Sequence, residues 1–228
     1  MRRLFHSILC LAALAAVVAG PSARAAPLAV VGARPIDRGD WSGWAAAGLP
    51  DFEFGAMFGL ASTADAGGRL RLGYGNGQAL GGFGAAAAGV LRTQFASAGP
   101  WAFALVSEPG LFVHGGISTW SPYAKVGKKG AVSLFGVDAG LPSLAASALL
   151  MPNLNLSLSI GAPARVYLAP EPTLELPVLF KVAVQYGLSG PWSLLAGADL
   201  GATFYGPGGG APAGAVESRV RFGVGYCP

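Results

Sequence analysis

Charge is scarce in this sequence. Asp, Glu, Lys and Arg make up 11% of its 228 residues, against about 25% in an ordinary soluble domain. His and Cys are rarer still, with only His6, His114, Cys10 and Cys227. Beyond residue 25 no stretch offers the ~20 uninterrupted apolar residues that a membrane-crossing helix needs, although mean hydropathy is +0.52. Helix itself is disfavoured, because 36 Gly and 17 Pro are scattered along the chain. These absences exclude a helical membrane protein, a coiled coil, a disordered tail and a charged nucleic-acid binder. The length suits one domain. What is left is a Gly-rich β protein whose apolar residues are spread over many short segments.

Residues 1–25 read as a cleavable secretory leader, with the domain proper at 26–228. Arg2 and Arg3 form a positive start, Ile8 to Ala19 an apolar run too short to span, and Ala23-Arg24-Ala25 an A-x-A cleavage site. Removing Arg2, Arg3 and Arg24 from the 15 basic residues leaves 12 against 11 acidic, so no basic patch for nucleic acid remains. His6 and Cys10 leave as well. With one His and one Cys an intramolecular disulfide is impossible, and a structural zinc site of Cys and His ligands nearly so. No cofactor is implied.

The rest of the chain alternates apolar with polar or small residues. Leu154, Leu156, Leu158 and Ile160 alternate with Asn155, Ser157 and Ser159. Val178, Phe180, Val182 and Val184 alternate with Lys181, Ala183 and Gln185. Leu194, Ala196, Ala198 and Leu200 alternate with Ser193, Gly197 and Asp199. Segments of 10 to 16 residues exceed the usual five to six of a soluble strand. They match the ~10-residue strands of a membrane barrel. Ten strands are predicted, over 28–33, 51–62, 69–75, 84–96, 101–113, 131–148, 153–168, 174–187, 192–205 and 216–226, with eight as the alternative. The gaps tend to alternate long and short, which places both termini on the periplasmic side. Pro109, Pro142, Pro163 and Pro177 fall inside these strands, where proline cannot donate to a ladder. They predict bulges, or strands that are two pieces.

In the last segment Val220, Phe222, Val224 and Tyr226 occupy every second position. This resembles the C-terminal β-signal of bacterial outer-membrane proteins, although Cys227 and Pro228 follow the aromatic. The chain from about 27 to 226 resembles the small Gly/Ala/Leu-rich outer-membrane barrels of high-GC Gram-negative bacteria. The resemblance implies an all-β, up-and-down antiparallel transmembrane barrel in the outer membrane. It implies contact with outer-membrane lipid and lipopolysaccharide, and with the outer-membrane assembly machinery.

The polar phases predict a lumen lined by Glu53, Arg69, Arg71, Arg92, Glu108, Arg165, Glu175, Lys181, Asp199, Glu217, Arg219 and Arg221. These charges are read either as a selective constriction or as an ion-pair network filling a narrow interior. In the second case Glu175, Lys181, Asp199, Arg219 and Arg221 pair across neighbouring strands. No catalytic residue is assigned. The expected function is a structural barrel or a narrow passive pore for small solutes. The alternatives are an outer-membrane hydrolase centred on His114, with Ser107, Glu108 and Ser118 near in sequence, or a secreted soluble β protein. Lys125, Lys128 and Lys129 form a loop cluster that suits solvent or anionic lipopolysaccharide. Trp41, Trp44, Trp101, Trp120, Tyr123 and Trp192 sit near strand ends or in loops, where aromatic girdles belong.

Overall fold

Period-two alternation gives every segment two unlike faces, and a sheet encloses one of them when it closes on itself. The structure, a computed structural model, describes residues 29–76, 79–117, 132–169, 172–205 and 215–228. These residues form a closed antiparallel barrel without helix. Its segments are β1 (Trp41–Leu49), β2 (Asp51–Ala61), β3 (Ala64–Asn76), β4 (Ala79–Ala98), β5 (Trp101–Ser107), β6 (Pro109–Ile117) and β7 (Val132–Ala139). They continue with β8 (Ser143–Met151), β9 (Leu154–Gly161), β10 (Arg165–Ala169), β11 (Thr173–Gly187), β12 (Trp192–Tyr205) and β13 (Ala215–Tyr226).

Six of these segments are halves of three wall strands. β4 carries β5 along one half and β6 along the other. β5 then pairs with β8 and β6 with β7, while β8 pairs with β9 and β7 with β10. β9 and β10 both pair with β11. Among the described residues this makes ten wall strands. The circle closes between β1 and β13, in register from Gly43↔Tyr226 to Leu49↔Val220.

The faces sort as the alternation dictates. Phe54, Phe180, Leu194, Leu200 and Phe222 are exposed on the outer face. Ser42, Asn155, Gln185, Thr203 and Glu217 are buried inside. The distribution is the reverse of a soluble domain, in which large apolar side chains are inside and charges are outside.

The prolines mark real faults. Pro109 starts β6, while Pro142 and Pro163 lie in the breaks that split β7 from β8 and β9 from β10. Pro177 stays within β11, opposite Thr203 on β12 and opposite the β9/β10 break on the other side. The β7/β8 break also shifts the phase. Phe135 and Leu144 both face outward, although nine positions separate them, so the alternation changes parity within 131–148.

Two expectations need correction. Of the expected strand 28–33, the described residues 29–33 are not part of the wall, because Ala29 to Ile36 run inside the barrel. The first wall strand is Trp41–Leu49, outside all ten strands expected from the alternation. Three Ala and two Gly within these nine residues weaken its apolar signal. The alternation of gap lengths is also less regular than expected, since the turn from β1 to β2 is Pro50 alone.

Candidate functional site: the barrel interior

The interior is built in three layers. At the end where β1 begins and β13 finishes, residues 29–36 curl across the lumen. Arg92, on the inward phase of β4, holds them. Its guanidinium donates to the carbonyls of Gly32 (3.1 Å) and Ala29 (2.8 Å) and to the Asp65 carboxylate (3.0 Å from Nε). The same carboxylate accepts from the Ile36 N–H at 2.9 Å. Wall side chains satisfy the rest of the curl. Ala33 N–H donates to Ser147 Oγ (2.6 Å), Val30 N–H to Gln185 Oε1 (3.2 Å), and Asn155 Nδ2 to the Val31 carbonyl (3.3 Å). Gly32 has φ +94° and lies flat against the wall. A Cβ there would meet Ser157 Oγ at 2.0 Å and Ser147 Oγ at 2.1 Å. The curl is thus a stopper fastened by backbone hydrogen bonds, and buried backbone groups demand such partners.

Above the curl lies a chamber of about 190 Å³. Its floor is Val30 to Gly32, and Met57, Val90 and Val106 contribute apolar walls. Ala46, Ala183 and Gly197 line it too, and their small size leaves the space.

Charged residues form the third layer. Glu53 accepts from Trp44 Nε1 at 2.9 Å and from Arg221, with Arg71 at 3.4 Å and Arg69 at 3.8 Å. Arg221 also donates to Asp199 at 2.8 Å. Arg69 grips Glu108 with two bonds of 2.9 and 2.7 Å, and Lys181 reaches the same carboxylate from across the lumen at 3.6 Å. Toward the far rim Arg165 bridges Glu175 (3.3 Å) and Glu217 (3.2 Å), and Tyr167 donates to Glu175. Arg219 bonds Glu217 at 2.6 Å and lies 3.7 Å from Asp51. The ion pairs among described residues draw on seven carboxylates and seven cations, so this interior network carries no net charge.

All twelve charged residues singled out in the sequence belong to these pairs. The partners differ in part from sequence adjacency. Lys181 stands directly opposite Asp199 on β12, yet its ammonium crosses to Glu108 while Asp199 is taken by Arg221. Sequence reasoning missed Asp51, Asp65 and the curl. Asp65 had a signal, because it continues the odd-numbered phase of Arg69 and Arg71. The curl had none, since its partners are remote in sequence.

The other residues singled out from the sequence fall as follows. On β13, Phe222 and Val224 face outward, and Tyr226 packs against Trp41 and Trp192 with centroids 5.5 and 4.8 Å apart. His114, one residue beyond the strand expected at 101–113, lies within β6. Ser107 donates to the Gly140 carbonyl. Extended backbone places Glu108 roughly 20 Å along the wall from His114. Ala23, Ala25, Ser118, Trp120, Tyr123, Lys125, Lys128 and Lys129 lie outside the described residues. A scan against models of known protein families finds no match, and a search of curated proteins finds no relative.

Proposed function

We propose that this chain is an integral outer-membrane barrel of a Gram-negative bacterium with a structural role, its lumen closed to solutes. The observation that carries the reading is the inverted polarity. Large apolar side chains cover the outside, while the inside holds a neutral ion-pair network and a hydrogen-bonded stopper. In lipid the outer face needs only to be apolar, and closure satisfies the backbone. Under this reading lipid and lipopolysaccharide contact the outer face, and the assembly machinery reads Val220, Phe222, Val224 and Tyr226. The leader at 1–25 suits export. The strands flanking 118–131 and 206–214 end at the rim opposite Trp41 and Tyr226, which suits periplasmic termini.

A passive pore is the weaker reading, because the curl and the charged layer both cross the lumen. A hydrolase centred on His114 gains no support from the geometry: Glu108 is engaged by Arg69 and Lys181, and Ser107 by Gly140. The test is fractionation with and without boiling before electrophoresis, followed by planar-bilayer recording. Retention in carbonate-washed membranes, heat-modifiable mobility and no conductance are expected. Carbonate release with unchanged mobility would sink the membrane assignment, and stable ohmic steps would sink the closed lumen.

A further inference from the structure

Successive wall strands are broken at one height. Glu108 separates β5 from β6, Gly140 to Pro142 separate β7 from β8, and Ala162 to Ala164 separate β9 from β10. Between the second and third of these strands the ladder stops at Leu144↔Ile160 and resumes at Asp138↔Arg165. The Ala139 N–H to Ala164 carbonyl bond, 2.8 Å, lies within the gap. A wall facing hydrocarbon leaves few backbone groups unpaired. Here the prolines change that cost. Pro142, Pro163 and Pro177 carry no N–H, so parting the strands at these positions uncovers no donor there.

The chamber lies behind this seam. Val106, Glu108, Ser143, Ser159 and Lys181 line it and flank the breaks. Benzene fits an apolar cavity of 150 Å³, and a chamber of about 190 Å³ has room by volume for about eight carbons, although Glu53, Arg69, Arg92, Asp199 and Arg221 also lie on its lining. The apolar walls at Met57, Val90 and Val106 suit hydrocarbon. The Lys181–Glu108 pair beside the seam is long, at 3.6 Å, with both side chains 24% exposed. Its ammonium can therefore donate to a second carboxylate, and Glu108 keeps both bonds from Arg69.

We propose that the chamber binds one medium-chain alkyl carboxylate, its tail among Met57, Val90 and Val106 and its head at Lys181, admitted sideways through the seam between β7/β8 and β9/β10. The proposal rests on the membrane reading in one respect, that hydrocarbon lies outside the seam.

The test uses Trp44, which lines the chamber, as the sole tryptophan after Trp41, Trp101, Trp120 and Trp192 are replaced by Phe. In micelles, 8-bromooctanoate is expected to quench Trp44 saturably by at least half. Ala183→Leu fills the chamber and should abolish most of that quenching. Lys181→Gln should weaken apparent affinity about tenfold. Leu144→Cys with Ile160→Cys, an opposed pair on the outer face, allows a cross-strand disulfide. Oxidation should block quenching and reduction should restore it. A heat-modifiable barrel with unquenched Trp44, or with quenching unchanged in Ala183→Leu, in Lys181→Gln or in the oxidised pair, would overturn the proposal. Quenching by brominated phosphatidylcholine vesicles but not by the carboxylate would overturn the free-acid assignment. Loss of heat-modifiable mobility in the unsubstituted protein would count against the membrane reading instead.

Discussion

Arg92 and Arg221 are both guanidiniums inside the barrel, and their partners differ in number. Among the described residues Arg92 has one carboxylate partner, Asp65, and two carbonyls of the curl. Arg221 has two carboxylates, Glu53 and Asp199. Removing the only carboxylate from a buried cation costs about 3–5 kcal/mol. Asp65→Ala is therefore expected to lower the unfolding midpoint far more than Asp199→Ala, which leaves Arg221 with Glu53. Urea titration of both variants checks the order, and equal small shifts would mean that water already screens these charges. Cys227 offers a second residue-scale check. Burial pushes its thiol up, and Asp40 and Asp37 add to that. A raised value leaves the neutral thiol dominant at pH 7, and thiolate is the reactive form. Maleimide labelling of the folded protein should be slow at pH 7, should rise only above the usual thiol range near 8.5, and should become rapid once the chain is unfolded.

At the scale of the element, β11 and β12 are the most regular parts of the wall, paired without interruption from Glu175↔Tyr205 to Gly187↔Ser193. Their even positions face outward and their odd positions inward. A charge on the outward phase then sits in lipid. Leu194→Arg or Phe180→Arg should cost about 2–4 kcal/mol if the site is near the bilayer midplane, while Ala183→Ser on the inward phase should be mild. Refolding into vesicles, read by denaturant midpoint, separates the two phases. Similar costs on both faces would argue against lipid outside. Pro177 leaves β11 continuous with β12 because its other side faces the β9/β10 break, whereas Pro142 and Pro163 lie in the breaks themselves, and the wall there keeps its closure through half-strands paired on both sides.

For the whole molecule, closure is the deciding property. β13 pairs with β1 on one side and β12 on the other. Removing residues 215–228 exposes two strand edges at once, and unpaired edges invite aggregation. The truncated chain is expected to lose heat-modifiable mobility and to aggregate on refolding. A truncated chain that still migrates as a compact form would show that the seam between β1 and β13 is dispensable. The same deletion also removes Glu217, Arg219 and Arg221, so the interior network fails together with the wall.

Segmentation and facing were legible in the sequence because both are local. A period of two follows from the backbone itself, so Leu154 to Ile160, Leu174 to Gly187 and Trp192 to Tyr205 declare their strands and their two faces without reference to anything distant. The charged residues of the inward phase were legible for the same reason. The prolines announced trouble in the wall, but their common height depends on how neighbouring strands are staggered, which only the closed sheet settles. The ion partners of Lys181 are likewise tertiary, because Glu108 lies across the lumen while Asp199 is the adjacent residue. Least legible was the stretch from Ala29 to Ile36. Residues 28–33 read as a short apolar strand, and the stretch is instead a stopper, because the carbonyls of Ala29 and Gly32 find Arg92 and the N–H of Ile36 finds Asp65 only after the wall has closed around them.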